Sequence, residues 1–325
     1  MTPRDIVVIG ASAGGIDALR QLVAHLPGEL RAALFVTMHV SPGTPSVLAA
    51  ILRRSGPLPA FQAADRERIR AGRIYVAPPD RHLLIEPGSI RLSAGPRENR
   101  SRPAVDPLFR SAATAYGERV VGVVLSGTLD DGAWGLVAIR DAGGLALVQD
   151  PSEAAFDGMP RAALRLVDDA QSLPVQRIAE TIARAAGGGN AEVVPDRDVA
   201  LEGDPVADTS IVRAVERDGD PSPFTCPECG GALWREEGDR FRCRVGHSYT
   251  EDALGVSQGE RVESALWAAE RALAERAHLA RRLQERATEQ GREHSAERFD
   301  RDASLAEGQA AAVRELIDGV LGRSA

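Results

Sequence analysis

The stretch that most constrains this chain is Ile6-Val7-Val8-Ile9-Gly10-Ala11-Ser12-Ala13-Gly14-Gly15, which passes from a strand through a glycine-framed turn into a helix. A run of β-branched residues without polar interruption fits a strand covered on both faces of a parallel sheet. Ile16, Leu19, Leu22, Val23 and Leu26 then recur at helical spacing, ended by Pro27-Gly28. Such a junction leaves the first helical N–H groups pointing at whatever the loop presents. Phosphate binding fits poorly, because the dinucleotide pattern needs glycine where Ser12 stands and no P-loop pattern occurs. A nucleophile on a tight turn fits better, since Gly10-Ala11-Ser12-Ala13-Gly14 reads G-x-S-x-G. A serine that only caps the helix fits as well.

Strands and helices alternate through the next ~180 residues. Residues 32–38 form a second apolar run ending at His39, followed by a Pro/Gly loop at 41–45 and a helical pattern to Arg54. A third strand covers 72–77. His82–Glu86 and Ile90–Leu92 flank Pro87-Gly88-Ser89 as an inserted β-hairpin. Residues 95–106 are polar, with Arg97, Arg100 and Arg102, and read as a solvated loop or a lip over a crevice. A helix from about Pro107 to Tyr116 precedes Val120–Leu125, the most apolar strand, and Ser126–Ala133 opens a helix running to about Ala142. One more strand at 144–149 and a helix at 178–186 complete a doubly wound, mostly parallel α/β domain.

The expected organisation is an α/β domain at 1–188, a flexible acidic linker at 189–222, a zinc-binding module at 223–252 and a helical tail at 253–325. The tail has apolar positions at steps of three and four and a break near Gly291, which predicts an antiparallel helical hairpin suited to packing or homo-oligomer formation. All three cysteines lie between 226 and 243. Cys226 and Cys229 form a two-residue-spaced knuckle, and Cys243 with His247 completes a tetrahedral set of three thiolates and an imidazole for structural Zn2+. Free buried thiols are the alternative. The formal charge of -8, with no lysine and no arginine block free of acids, argues against a nucleic-acid partner. No apolar run reaches membrane-spanning length and no signal peptide is visible, so a cytoplasmic protein without membrane insertion is expected.

Ser12, His39 and one of Asp130 or Asp131 stand at the C-terminal ends of three apolar strands, which line one crevice in an open α/β sheet. A serine hydroxyl needs a base near neutral pH, imidazole supplies one, and a carboxylate fixes the imidazole tautomer. The N–H of Ala13 would face the developing oxyanion. Helix capping by Ser12 or Asp131, and simple packing of His39, are the duller readings of the same residues.

Ile9–Gly15, the His39 strand end, Asn99–Asp106, Leu125–Ala133 and Phe156–Arg161 together resemble, in order, the catalytic domain of CheB-type chemoreceptor methylesterases over residues 4 to about 188. The resemblance implies a Ser-His-Asp triad that hydrolyses glutamyl methyl esters, and in many members deamidates glutamine, on chemoreceptor cytoplasmic helices, with no catalytic cofactor. Matched position by position, it assigns nucleophile to Ser12, base to His39 and carboxylate to Asp131 in preference to Asp130. It also implies a backbone oxyanion donor at Thr128, where the family has methionine. Family members typically begin with a receiver domain covering the site; this sequence starts at the catalytic strand, so control by such a domain in the same chain is not expected. A non-catalytic signalling scaffold, and the same hydrolase acting on an ester or amide outside chemotaxis, are the competing readings.

Overall fold

The computed structural model describes residues 3–39, 47–187, 220–236 and 239–321. The Pro/Gly loop after His39 and nearly all of the acidic linker lie outside them. The chain divides into two compact units, Met1–Leu254 and Gly255–Ala325, so the cysteine module belongs to the same unit as the α/β domain.

The α/β domain carries, in chain order, β1 (Ile6–Ala11), α1 (Gly15–Ala24), β2 (Ala33–Met38), α2 (Leu48–Ser55), β3 (Ala60–Gln62), β4 (Arg73–Val76), β5 (His82–Glu86), β6 (Ser89–Ser93), α3 (Val105–Tyr116), β7 (Val120–Val124), α4 (Ala133–Asp141), β8 (Leu145–Gln149), α5 (Gly158–Leu166), β9 (Gln171–Leu173) and α6 (Val175–Ala186). Seven strands form one sheet in the order β3-β4-β2-β1-β7-β8-β9, and every pairing is parallel. The central strand β1 is buried at all six residues, as an uninterrupted apolar run requires when both faces are covered. Val7 and Ile9 face α1, α2 and α6, whereas Ile6 and Val8 face α3, α4, α5 and the β5-β6 hairpin. Chain order steps from β1 to β2 on one side and later to β7 on the other. The C-terminal ends of β1 and its two neighbours therefore bound the switch-point crevice where α/β sheets bind ligands.

The cysteine module is a four-stranded antiparallel sheet of β10 (Asp220–Thr225), β11 (Ala232–Glu236), β12 (Arg240–Cys243) and β13 (Ser248–Thr250). Among the described residues its buried cluster comprises Cys226, Leu233, Phe241, Cys243, Tyr249 and Leu254.

The second unit is a helical hairpin of α7 (Glu251–Glu289), whose first turn belongs to the first unit, and α8 (Glu293–Leu321). Gly291 at φ 67° makes the reversal between them. Ala277, Ala280, Ala287, Ala303 and Ala306 are buried in it, and Arg281 reaches Asp300 (2.6 Å) and Glu307 (2.9 Å) across the helices. No described helix is long and apolar enough to cross a membrane.

Candidate active site

The three strand ends converge. Ser12 follows β1 directly, and its N–H donates to Ser126 O at 2.9 Å, tying the turn to the end of β7. His39 is the residue after β2. Ser12 Oγ lies 3.0 Å from His39 Nδ1, and His39 Nε2 lies 2.7 Å from Asp131 Oδ2. The carboxylate fixes the ring proton on Nε2 and leaves Nδ1 to accept the serine proton, so the ring is turned opposite to the serine-protease arrangement. Neither Ser12 nor Asp131 caps the helix that follows it, although Asp131 accepts the first two N–H groups of α3. Gly14, at φ 71°, caps α1 and Gly132 caps α4, neither with a side-chain bond.

Asp131 is 2% exposed and receives hydrogen bonds from donors only. Val105 N–H donates to Oδ2 (2.7 Å), while Asp106 N–H (3.1 Å) and Asn99 Nδ2 (2.9 Å) donate to Oδ1. Burial pushes its pKa up, but the His39 bond and charge together with these N–H donors outweigh burial and hold it below the usual range. Asp106, at the start of α3, is equally buried. It accepts from Gly132 N (3.1 Å), Gly135 N (2.6 Å) and Asn99 Nδ2 (3.0 Å). Burial, reinforced by the charge on Asp131, raises its pKa to about 6. The sequence reading missed Asn99 and Asp106 as site residues. Their only signal was their membership of the Asn99–Asp106 motif, where an aspartate in a first helical turn passes for a dipole partner.

Asp130 accepts the Thr250 hydroxyl at 2.9 Å, while His39 bonds Asp131; burial raises the Asp130 pKa to about 6. The polar stretch before α3 is a lip rather than a solvated loop. His82, kept neutral by burial, bonds Pro96 O (2.9 Å) and Ala104 N (3.3 Å), anchoring both ends of it. Arg102 is used internally on Asp80 (2.7 Å) and Gly95 O (2.7 Å), and Arg97 pairs with Glu228 (3.4 Å). Arg100, Ser101, Thr128, Leu129, Asp130, Asp131 and His39 line a cavity of about 210 Å3.

The loop after β7 is clamped by the Phe156–Arg161 motif. Gly127 N–H donates to Phe156 O (3.0 Å) and Met159 N–H donates to Gly127 O (2.8 Å). A Cβ at Gly127 would stand 2.9 Å from Ser12 Cβ, so glycine is what lets this loop approach the serine. The N–H groups of Ala13 and Thr128, on the two loops flanking Ser12, have no hydrogen-bond acceptor among the described residues.

In the cysteine module the four expected donors come together, all within 4.8 Å of one another. Cys229 Sγ is 3.6 Å from Cys243 Sγ, and His247 Nδ1 is 3.6 Å from Cys226 Sγ and 3.4 Å from Cys243 Sγ. Tetrahedral zinc with Zn–S near 2.3 Å and Zn–N near 2.0 Å needs donor separations of about 3.5 to 3.8 Å, so the set fits.

A sequence profile described as CheB methylesterase matches residues 7–182. The chain belongs to the CheB methylesterase family. It is 40% identical over 188 residues to a protein-glutamate methylesterase/protein-glutamine glutaminase of Symbiobacterium thermophilum, covering 58% of this chain and 52% of that one. It is 38% identical over 181 residues to a putative protein of the same name from Leptospira interrogans, covering 55% of this chain and 94% of that one. The crystal structure of the Thermotoga maritima CheB methylesterase catalytic domain superposes with a TM-score of 0.53 at 31% identity, over 55% of this chain and 97% of that one. The chain thus spans about half the length of the Symbiobacterium relative and nearly all of the Leptospira one. The matched region is the α/β part, a CheB methylesterase domain; the cysteine module and helical hairpin lie beyond it.

Proposed function

We propose that the protein is a cytoplasmic serine hydrolase that removes methyl groups from glutamyl side chains of chemoreceptor helices, and deamidates glutamine there, using Ser12, His39 and Asp131. The observation that carries this reading is the unbroken hydrogen-bond chain from Ser12 Oγ through His39 to a carboxylate held by donors alone, within a CheB methylesterase domain.

Ser12 Oγ attacks the side-chain ester carbonyl as His39 Nδ1 takes its proton, and the ionised Asp131 stabilises the imidazolium through Nε2–H. The tetrahedral oxyanion is received by the N–H groups of Ala13 and Thr128. Collapse expels methanol, which takes the proton from Nδ1 and leaves a glutamyl ester on Ser12. Water, deprotonated by His39, then releases the glutamate carboxylate and regenerates the serine. With a glutamine side chain the leaving group is ammonia. Cys226, Cys229, Cys243 and His247 would hold a zinc ion with all four positions filled by protein. That arrangement suits a structural role and leaves no position open for catalysis.

Replacing Ser12 by alanine should abolish methanol release from a methylated receptor fragment while leaving the melting temperature within a few degrees of wild type. Undiminished release overturns the assignment. Covalent labelling of Ser12 by a fluorophosphonate separates the hydrolase from a signalling scaffold, which would carry an unactivated serine.

A further inference from the structure

The cysteine module is hydrogen-bonded to the turn that holds the triad carboxylate. Residues 98–101 form a two-residue hairpin in which Glu98 and Ser101 exchange both backbone bonds (3.2 and 2.9 Å), with Asn99 at φ 47° and Arg100 at φ 67°. Two successive left-handed residues define a type I′ turn, a conformation asparagine tolerates well. Within such a turn the N–H of Asn99 has no partner. It donates to Ser248 O at 2.9 Å, and Ser248 N–H returns a bond to Arg97 O at 3.4 Å, so Ser248 at the start of β13 pairs with Glu98 in one parallel bridge.

Two side-chain contacts reinforce this backbone pairing. Arg240, on β12, lies 3.7 Å from Glu98 and donates to Ser248 Oγ at 3.1 Å; the Arg240 and Glu98 side chains are each 12% exposed. Thr250 accepts Ala253 N–H (3.2 Å), which orients its hydroxyl to donate to Asp130. Ser248, Thr250 and Asn99 are buried, so water does not compete for these bonds. On the other side of the contact the groups lead directly to the triad. Asn99 gives its amide to Asp131, and Asp130 is the residue before it.

We infer that Ser248, Arg240 and Thr250 of the cysteine module are positioning residues for the esterase site, acting through Asn99 and the 130–131 peptide on Asp131. The inference rests on the hydrolase reading. A carboxylate stabilises the imidazolium only while one oxygen stays on Nε2–H, and among the described residues Asn99 is the one side-chain donor to the other oxygen. The carbonyl that seats Asn99 belongs to the residue directly after His247. The fold of the module around its sulfur and imidazole donors therefore sets the height of the turn.

The test uses the full chain and two readouts. In steady-state methanol release, Arg240→Met and Thr250→Val should each lower kcat about 3- to 30-fold with KM within about twofold, and Thr250→Ser should restore it. Asn99→Ala should lower kcat roughly 10- to 100-fold, as for a lost hydrogen bond to a charge. Arg240→Met added to Asn99→Ala should cost nothing more, whereas effects that multiply would show an independent route and overturn the inference. Hydrogen exchange of the 97–101 amides reads the brace without catalysis and should speed up at least tenfold in Arg240→Met at unchanged melting temperature. Unchanged exchange with wild-type turnover overturns the positioning role. A wild-type protein that releases no methanol while exchange responds as expected overturns the hydrolase reading instead and leaves the brace standing.

Discussion

Asp130 and Asp131 are chain neighbours given opposite tasks by their surroundings. Asp131 sits in a cage of N–H donors and stays ionised, whereas Asp130 has one neutral hydroxyl partner and a pKa raised by burial to about 6. Changing Asp131 to asparagine removes the group that holds the Nε2–H tautomer, and turnover should fall by about 10^4; a loss under tenfold would contradict the assigned role. For Asp130 the consequence is in stability. Its pKa is raised in the fold, from 3.8 to about 6, so the folded state binds more protons between those values and stability falls as pH rises from about 4 to 6. That difference corresponds to roughly 3 kcal/mol at most. Asp130→Asn removes this loss, so the variant should gain on wild type in urea unfolding as pH goes from 5 to 7.5, and parallel curves would rule the effect out. Local sequence left both aspartates open, and the choice between them came from the motif register. Asn99 was illegible as a site residue because its role depends on a left-handed turn and on a carboxylate 32 positions away.

At the scale of elements, the long buried strands and their helices other than α5 were legible because apolar runs and helical periodicity repeat what the core demands. β3 and β9 were not. Each has three residues, and Phe61, Gln62, Gln171 and Ser172 are exposed, so edge position and pairing make them strands without a sequence pattern. The Phe156–Arg161 motif was visible but mute until its carbonyl and N–H groups were seen to grip Gly127. That grip predicts a sharp response at one glycine. Gly127→Ala inserts a methyl 2.1 Å from Met159 Sδ and 2.9 Å from Ser12 Cβ. Met159 is fully buried, and the serine is held by the bond from its N–H to Ser126 O, so neither neighbour yields easily. The variant should lose about 1 to 3 kcal/mol of stability, and its Ser12 should label with fluorophosphonate at least a hundredfold more slowly; wild-type labelling would show that the loop gives way instead.

For the whole molecule, the four metal-type ligands could be read from spacing, but the seat of their module could not. Docking runs largely through the backbone of Ser248 and one threonine hydroxyl, which leave no compositional trace. Energetics make the ligands decisive. A buried cluster of six residues, two of them cysteines, is far below what a small sheet needs to fold alone. Zinc binding to such a donor set is worth on the order of 10 kcal/mol, which can supply the deficit. The purified protein should therefore carry one zinc per chain by elemental analysis. Cys226→Ser, or a strong chelator, should open residues 220–250 to limited proteolysis while the parallel sheet keeps its cooperative melt, since its two apolar faces are closed by its own helices. The same treatment should release protection of the Asn99 amide, because its acceptor belongs to the residue after His247. Residues 220–250 that stay as protected after chelation, or in Cys226→Ser, as in the untreated wild type would mean that docking on the lip alone folds the module.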